Sequence, residues 1–291
     1  MYLNTLGKNE MYLSVAEILG TDFDMVRKYI LQSMSDIIDW NYDEHSIDKM
    51  NIAGLIKECG CKKLKRIDSL IVSHITPRKS IDSVWKEGLM TLPHVLTKKT
   101  VLSEYLQKLG FEFSFDDKKI TMKRNGEIVD IEKLDFSNLK MRLGGEKTLN
   151  DFNVNGYLFI DEFELVAVRG WLGSPEILKS LANSYRKNSI ADNYADRCIN
   201  YYVSFEVPIE KVDIEGFPDW LDEDRKTEIL LKYTINALAY EENKRKPYLP
   251  MYNPIIMLKR NYNVPGSDIR KVWRLDYKGS KFVPVDYVLN I

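Results

Sequence analysis

The sequence is short of most features that mark a specialised chain. It has three cysteines and three histidines in 291 residues. No apolar run approaches the ~20 residues needed to span a bilayer. The opening Met1-Tyr2-Leu3-Asn4-Thr5-Leu6-Gly7-Lys8 lacks the basic-then-apolar order of a signal peptide, so the expectation is a cytoplasmic protein without membrane contact. Lys and Arg number 42 against 43 Asp and Glu, a net charge of −1 that argues against a dedicated polyanion binder. With only 15 Gly and 10 Pro, a long disordered linker is not expected. Cys59, Cys61 and Cys198 make an odd count, which disfavours a disulfide framework. Cys59-Gly60-Cys61 leaves one residue between thiols with no second Cys/His pair nearby, so it reads as helix-end chemistry rather than a zinc site.

What is present is an ordinary folded composition, 44% hydrophobic and 29% charged. The first third reads as helical. Tyr12, Val15, Ile18 and Leu19 recur at helical spacing before Gly20. Thr21-Asp22 suits the cap of a second helix presenting Val26, Tyr29, Ile30, Met34, Ile37 and Ile38. Ser46 suits the cap of a third, with Ile47, Met50, Leu55, Ile56 and Cys59 along one stripe and Gly60 as its stop. At Ser69 the texture changes. Leu70-Ile71-Val72 opens a buried strand reaching Ile75, with Thr76-Pro77 as its expected end. Ser80 then caps a short helix with Ile81, Val84 and Trp85 inward and Gly88 at its close, and 100–109 makes another helix.

Residues 111–115 alternate strictly, Asp116-Asp117 turns the chain into 120–124, and Asn125-Gly126 signals a type I′ turn into 127–131. This meander, 111–131, reads as an insertion projecting from the core. Gly156 to Ile160 is the next strand, followed by a helix over 161–169 and another opened by Ser174-Pro175-Glu176. Then come a strand over 199–207, a helix over 219–243, and late strands at 255–258 and 283–289. The expected architecture is α+β, with a helical N-terminal region at 1–66 and an α+β domain at 67–291.

Chemistry has few places to reside. His45 lies in a polar stretch and reads as a surface residue, and His94 follows Pro93 with no adjacent acid. Lys62-Lys63-Leu64-Lys65-Arg66 and Lys244-Arg245-Lys246 read as solvated basic runs. Gly144-Gly145-Glu146-Lys147-Thr148 lacks the first glycine of a phosphate loop, and Glu206 with Glu210 makes no carboxylate pair for glycoside chemistry. His74 is different, because it ends a buried strand. An isolated histidine there is ordinarily a core residue with its hydrogen bonds satisfied.

The segment Ile71-Val72-Ser73-His74-Ile75-Thr76, with Ile81, Val84, Trp85 and Gly88-Leu89 after it, resembles the opening motif of the histidine-bearing branch of the ADP-ribosyltransferase-like superfamily. There a strand ends in His-x-Thr, and a short helix ends in Gly-Leu. Asn155-Gly156-Tyr157-Leu158-Phe159-Ile160 resembles the second motif, in which an aromatic residue opening a strand stacks on nicotinamide. The resemblance implies a split, mostly antiparallel β core. It also implies NAD as substrate, with His74 and Thr76 holding the adenosine side and Tyr157 stacking on the nicotinamide. His74 and Tyr157 would then lie on neighbouring strands and face one cleft. The implied reaction is transfer of ADP-ribose to a protein or nucleic-acid acceptor.

The motif's third element, a glutamate on a late strand, is missing. Val264-Pro265-Gly266-Ser267-Asp268-Ile269 fits the stretch on the C-terminal side of that glutamate in the family, yet Pro254 or Ile255 stands where the carboxylate belongs. The other placement, Val272-Trp273-Arg274-Leu275, has none either, which leaves Glu206, Glu241, Glu242 and Asp268 as substitutes and the catalytic acid unassigned. Two other readings stay open. One is a catalytically silent binding module of that fold, such as a phage or bacterial defence or counter-defence factor. The other is an unrelated α+β scaffold.

Overall fold

Capping and apolar spacing agree at the N terminus, and helices form where they do. The computed structural model describes residues 1–38, 47–116, 118–134, 137–144, 152–164, 168–244 and 253–286. His45, Ser46, Asp117, Arg245, Lys246, residues 287–289 and most of the 144–148 loop lie outside the described residues. After β1 (Tyr2–Leu3), α1 (Lys8–Leu19) buries Tyr12, Val15, Ile18 and Leu19, and Gly20 closes it at φ 69°. Asp22 accepts from the Met25 amide at 2.8 Å and starts α2 (Phe23–Gln32). The second helix is shorter than its apolar stripe suggests, because Ser33 breaks it from α3 (Met34–Ile37). The third is likewise divided into a 3₁₀ turn (Ile47–Lys49) and α4 (Ala53–Glu58).

β2 (Ser69–Arg78) runs past Thr76-Pro77, where the sequence suggested a break. Proline's fixed φ is compatible with extended backbone, and only its missing N–H is lost to the ladder. α5 (Ile81–Glu87) comes next, with Trp85 38% exposed rather than inward. Then come α6 (Leu92–Thr97) and α7 (Val101–Lys108), the latter started by a reciprocal Thr100–Ser103 capping box. The meander is β3 (Phe111–Phe115), β4 (Ile120–Arg124) and β5 (Glu127–Ile128), with Asn125 and Gly126 both at positive φ as a type I′ turn requires. After α8 (Ser137–Leu143), β6 (Asn155–Tyr157) is shorter than its apolar run. Phe163–Glu164 forms β7 where a helix was expected over 161–169. Beyond it lie α9 (Glu176–Ser184), α10 (Ser189–Ala195) and β8 (Ile199–Pro208). β9 (Val212–Ile214) leads to α11 (Glu223–Asn243), and the chain continues through β10 (Ile255–Leu258), β11 (Ile269–Lys278) and β12 (Lys281–Asp286).

The result is a mixed α/β fold whose large sheet is mostly antiparallel. It forms two compact units: Met1–His74 with Asn155–Asp161 and Ser204–Leu258, and Ile75–Val154 with Glu162–Val203 and Lys259–Ile291. β2 and β8 contribute residues to both.

In the first unit the strand order is β2-β6-β10-β9, with β1 parallel to β2. Against α11 pack α1, α2, α3 and the 3₁₀ turn. α11 is buried around most of its circumference, so its polar residues need partners. They find backbone. The Lys226 ammonium donates to the Val212 carbonyl at 2.5 Å, Lys232 to that of Asp48 at 2.7 Å, and the Asn236 amide to that of Ile37 at 3.2 Å.

In the second unit the strand order is β7-β12-β11-β8. A separate β3-β4-β5 sheet turns Phe111, Ile120 and Met122 into a cluster with Leu106 of α7, Leu139 of α8, Leu181 of α9 and Tyr194 of α10. The meander therefore shares a core with these four helices.

Candidate functional site

β2 is buried along nearly its whole length, with no alternation of exposure. Both of its faces are covered, as for a central strand, so a polar side chain on it must find a partner. His74 does. Its Nδ1–H donates to the Asn155 carbonyl of β6 at 2.5 Å. A carbonyl oxygen only accepts, which places a proton on Nδ1. Ser73 and Ser204, both fully buried, share a 2.5 Å hydroxyl–hydroxyl bond, and Ser69 donates to Glu206 at 2.7 Å.

The register of β2 against β6 decides which side chains meet. Ser73 pairs directly with Tyr157. Directly paired residues share a face and successive residues alternate. Tyr157 therefore lies on the face of Ser73, and His74 lies on the other. His74 and Tyr157 are on neighbouring strands, as the resemblance implied, but they do not face one cleft. Tyr157 is itself 8% exposed. Thr76 lies two residues beyond His74 on the same face of β2, and its hydroxyl accepts from Arg78 Nε at 3.2 Å.

Across the other edge of β6, Tyr157 pairs with Ile255. This is the late strand where the resemblance calls for a glutamate, and the side chain opposite the tyrosine is aliphatic. Just before it, the buried Asn253 extends the ladder with its amide, accepting from the Phe159 N–H and donating to the Phe159 carbonyl, each at 2.9 Å. Of the substitute acids, Glu206 shares the face of Tyr157 by alternation from Ser204. Glu242 belongs to a different structure. It accepts from the Tyr12 hydroxyl at 3.0 Å and pairs with Lys8 at 2.9 Å. Burial pushes its carboxyl up, but the hydrogen bonds of Lys8 and Tyr12 and the charges of Lys8 and Arg27 outweigh that and hold it below the usual range.

The Gly-Leu of the first motif has a structural task. Arg78 donates to Glu87 at 2.7 Å and to the Gly88 carbonyl at 3.0 Å. Gly88 has φ 65°, and a Cβ there would sit 2.1 Å from the Val264 carbonyl oxygen. Leu89 and Val264 exchange both backbone hydrogen bonds, at 2.9 and 2.8 Å. Gly266 approaches the Trp85 carbonyl so closely that its Cβ would lie 1.9 Å away. The two motif segments, 88–89 and 264–269, are thus a single close-packed joint. His94 sits in α6 and secures the same joint. The Thr91 amide donates to Asn263 Oδ1 at 2.9 Å, which turns the Asn263 amide nitrogen toward His94 Nδ1 at 2.7 Å.

Elsewhere the second unit holds a cavity of about 440 Å³ beside β3, lined by Lys98, Lys99, Glu104, Gln107, Phe111 and Glu112 among others. None of His74, Thr76 and Tyr157 lines it. Burial outweighs the nearby Lys79 and Arg78 and pushes the Cys198 thiol up to about 11, which disfavours the thiolate near neutral pH. Cys59 and Cys61 are free thiols. Of the basic run 62–66, the three lysines and Arg66 are exposed, and Arg66 pairs with Glu223. Among the described residues no group of three or more His, Cys, Asp or Glu is placed to hold a metal, and no helix is long and apolar enough to cross a membrane.

Asn155, Arg78, Asn253 and Asn263 organise these segments, and sequence reasoning missed all four. Their roles depend on partners 9 to 172 positions away, and no local pattern carries that information. Comparison with protein-family models, with curated proteins and with solved structures finds no match for this chain.

Proposed function

We propose that the protein is a catalytically silent binding module, carrying the residues of an ADP-ribosyltransferase-like motif in structural roles. The observation that carries this reading is the Tyr157–Ile255 pair, an aliphatic side chain where the transfer reaction needs a carboxylate. An acid there would stabilise the cation formed as nicotinamide departs, and such groups typically contribute ~10²–10³ in rate. The engaged states of His74 and Thr76 and the burial of Tyr157 support the same reading.

The second reading is NAD-dependent transfer of ADP-ribose to a protein or nucleic acid. It is favoured by Glu206, an acid on the same face as Tyr157, and by the contact between the Gly88-Leu89 and Val264–Ile269 segments. Titration of the protein with NAD by calorimetry, with nicotinamide release monitored in parallel, separates the two. The proposal expects no release, and His74→Ala should alter stability without altering any response to NAD. Release abolished by Glu206→Gln would establish the enzyme instead.

A further inference from the structure

Two of the three cysteines lie in unit one, at the end of α4, and the β2–β6 pair makes no use of them. Cys59 and Cys61 close that helix in a Schellman turn. The Gly60 amide donates to the Lys57 carbonyl at 3.1 Å, and the Cys61 amide to that of Ile56 at 3.0 Å. Cys59 keeps helical backbone at φ −72°, while Gly60 turns left-handed at φ 62°. The chain between the two cysteines is therefore folded back rather than extended.

That geometry bears on the thiols. Two residues of extended chain reach about 7 Å at most, and a folded turn is shorter. A disulfide joins residues whose Cα atoms lie roughly 4.4–6.8 Å apart, so the turn brings the pair within its span. Both thiols are free and partly exposed. A Cβ at Gly60 would meet nothing within 4 Å, which leaves open space over the turn for a small reactant. Burial pushes the Cys59 thiol up, and a hydrogen bond from Thr21 opposes this while the charges of Cys61, Glu58 and Asp22 add to it. A thiol held high is a slow leaving group, so a disulfide closed on Cys59 resists attack at Cys61. Cys198 has no second cysteine in its unit.

We propose that Cys59-Gly60-Cys61 is a redox-active dithiol, converted reversibly to an intramolecular disulfide by a low-molecular-weight disulfide such as oxidised glutathione. The Cys61 thiolate attacks one sulfur of that disulfide and expels the other as a thiolate, leaving a mixed disulfide on Cys61. Cys59 acts second. Its thiolate attacks the Cys61 sulfur, closes the ring and expels the second small thiolate. The protein loses two electrons and two protons, and the small disulfide gains them as two thiols. The inference goes beyond the silent-module reading and uses none of its residues, so the NAD and thiol experiments succeed or fail separately.

The test equilibrates the whole chain with graded ratios of oxidised to reduced glutathione, quenches with iodoacetamide, and reads intact mass and peptide maps. Alkylatable thiols are expected to fall from three to one, with Cys59 joined to Cys61 and Cys198 still alkylated. Dithiothreitol should restore all three. Cys59→Ser should halt the reaction at a stable glutathione adduct on Cys61. Serine is close to cysteine in size and the site is partly exposed, so an unchanged melting temperature will confirm that the variant folds. At a given ratio the oxidised fraction should exceed several-fold that of the same chain unfolded in urea. Equal fractions overturn the proposal, because the turn would then contribute nothing. So do glutathione adducts that persist on both cysteines of the unaltered chain, and so does oxidation of Cys198 ahead of the pair. A chain that keeps all three thiols in oxidised glutathione alone overturns it as well.

Discussion

Ser73 of β2 stands directly opposite Tyr157 of β6, while its neighbour His74 turns to the other face and closes a 2.5 Å hydrogen bond on the Asn155 carbonyl. One register thus commits two motif residues to different surroundings, and both become parts of the sheet's interior.

His74→Ala removes the imidazole that donates to the Asn155 carbonyl and deprives that acceptor of this bond. The expected cost is about 1–2 kcal/mol, seen as a lower thermal midpoint. A midpoint equal to that of the unaltered protein would show that the imidazole carries no structural weight.

Gly88→Ala and Gly279→Ala discriminate between backbone strain and steric conflict. Both glycines have φ near 65°, but nothing lies within 4 Å of a Cβ at Gly279, whereas Val264 blocks one at Gly88. Gly279→Ala should cost about 1 kcal/mol from the left-handed conformation alone. Gly88→Ala should cost clearly more, because the 88–89/264–266 joint must open. Equal losses in chemical unfolding would argue that the joint yields easily.

Ile120→Ala and Met122→Ala test whether the meander belongs to the core. Both side chains are fully buried in the cluster with α7, α8, α9 and α10. Each substitution should cost about 2–4 kcal/mol. Excision of 111–131 should unfold the second unit, as read by lost protection from hydrogen exchange in α9 and α10. Retained protection would make the meander an appendage.

Glu242 sets an acid limit on the first unit. Its folded carboxyl titrates below the usual range, so the folded state binds the proton more weakly than the unfolded chain. Its contribution to stability is complete above the unfolded value of ~4.3 and is lost as pH falls through the lower folded value. Melting temperatures measured from pH 6 to 3 should therefore fall more steeply in the unaltered protein than in Glu242→Gln. Parallel curves would remove Glu242 as a source of acid sensitivity.

Local signals were legible in the sequence wherever their physics is local. The αL glycine after α1, the Asp22 cap, the Asn125-Gly126 turn and the strict alternation of 111–115 each depend on a few adjacent residues, and each appears in the structure. The departures lie where local preference is weak. Phe163–Glu164 pairs with β12 instead of coiling, because a tertiary partner outweighs a weak local preference, while Ser33 divides the second helix and β2 continues through Pro77.

By itself the sequence determined the alternation of helical and extended segments, the balanced charge, and the presence of a histidine in a buried strand, although that strand runs on to Arg78 and His74 lies within it rather than at its end. Which face of the sheet that histidine occupies was decided only in the tertiary structure. The reason lies in strand geometry. A shift of one residue in pairing moves every side chain of a strand to the opposite face. The apolar pattern of β2 is continuous, because both its faces are buried, so it holds no preference for one register over the next. The partners in space, Tyr157 opposite Ser73 and Ile255 opposite Tyr157, made that choice, and with it the surroundings of the motif residues.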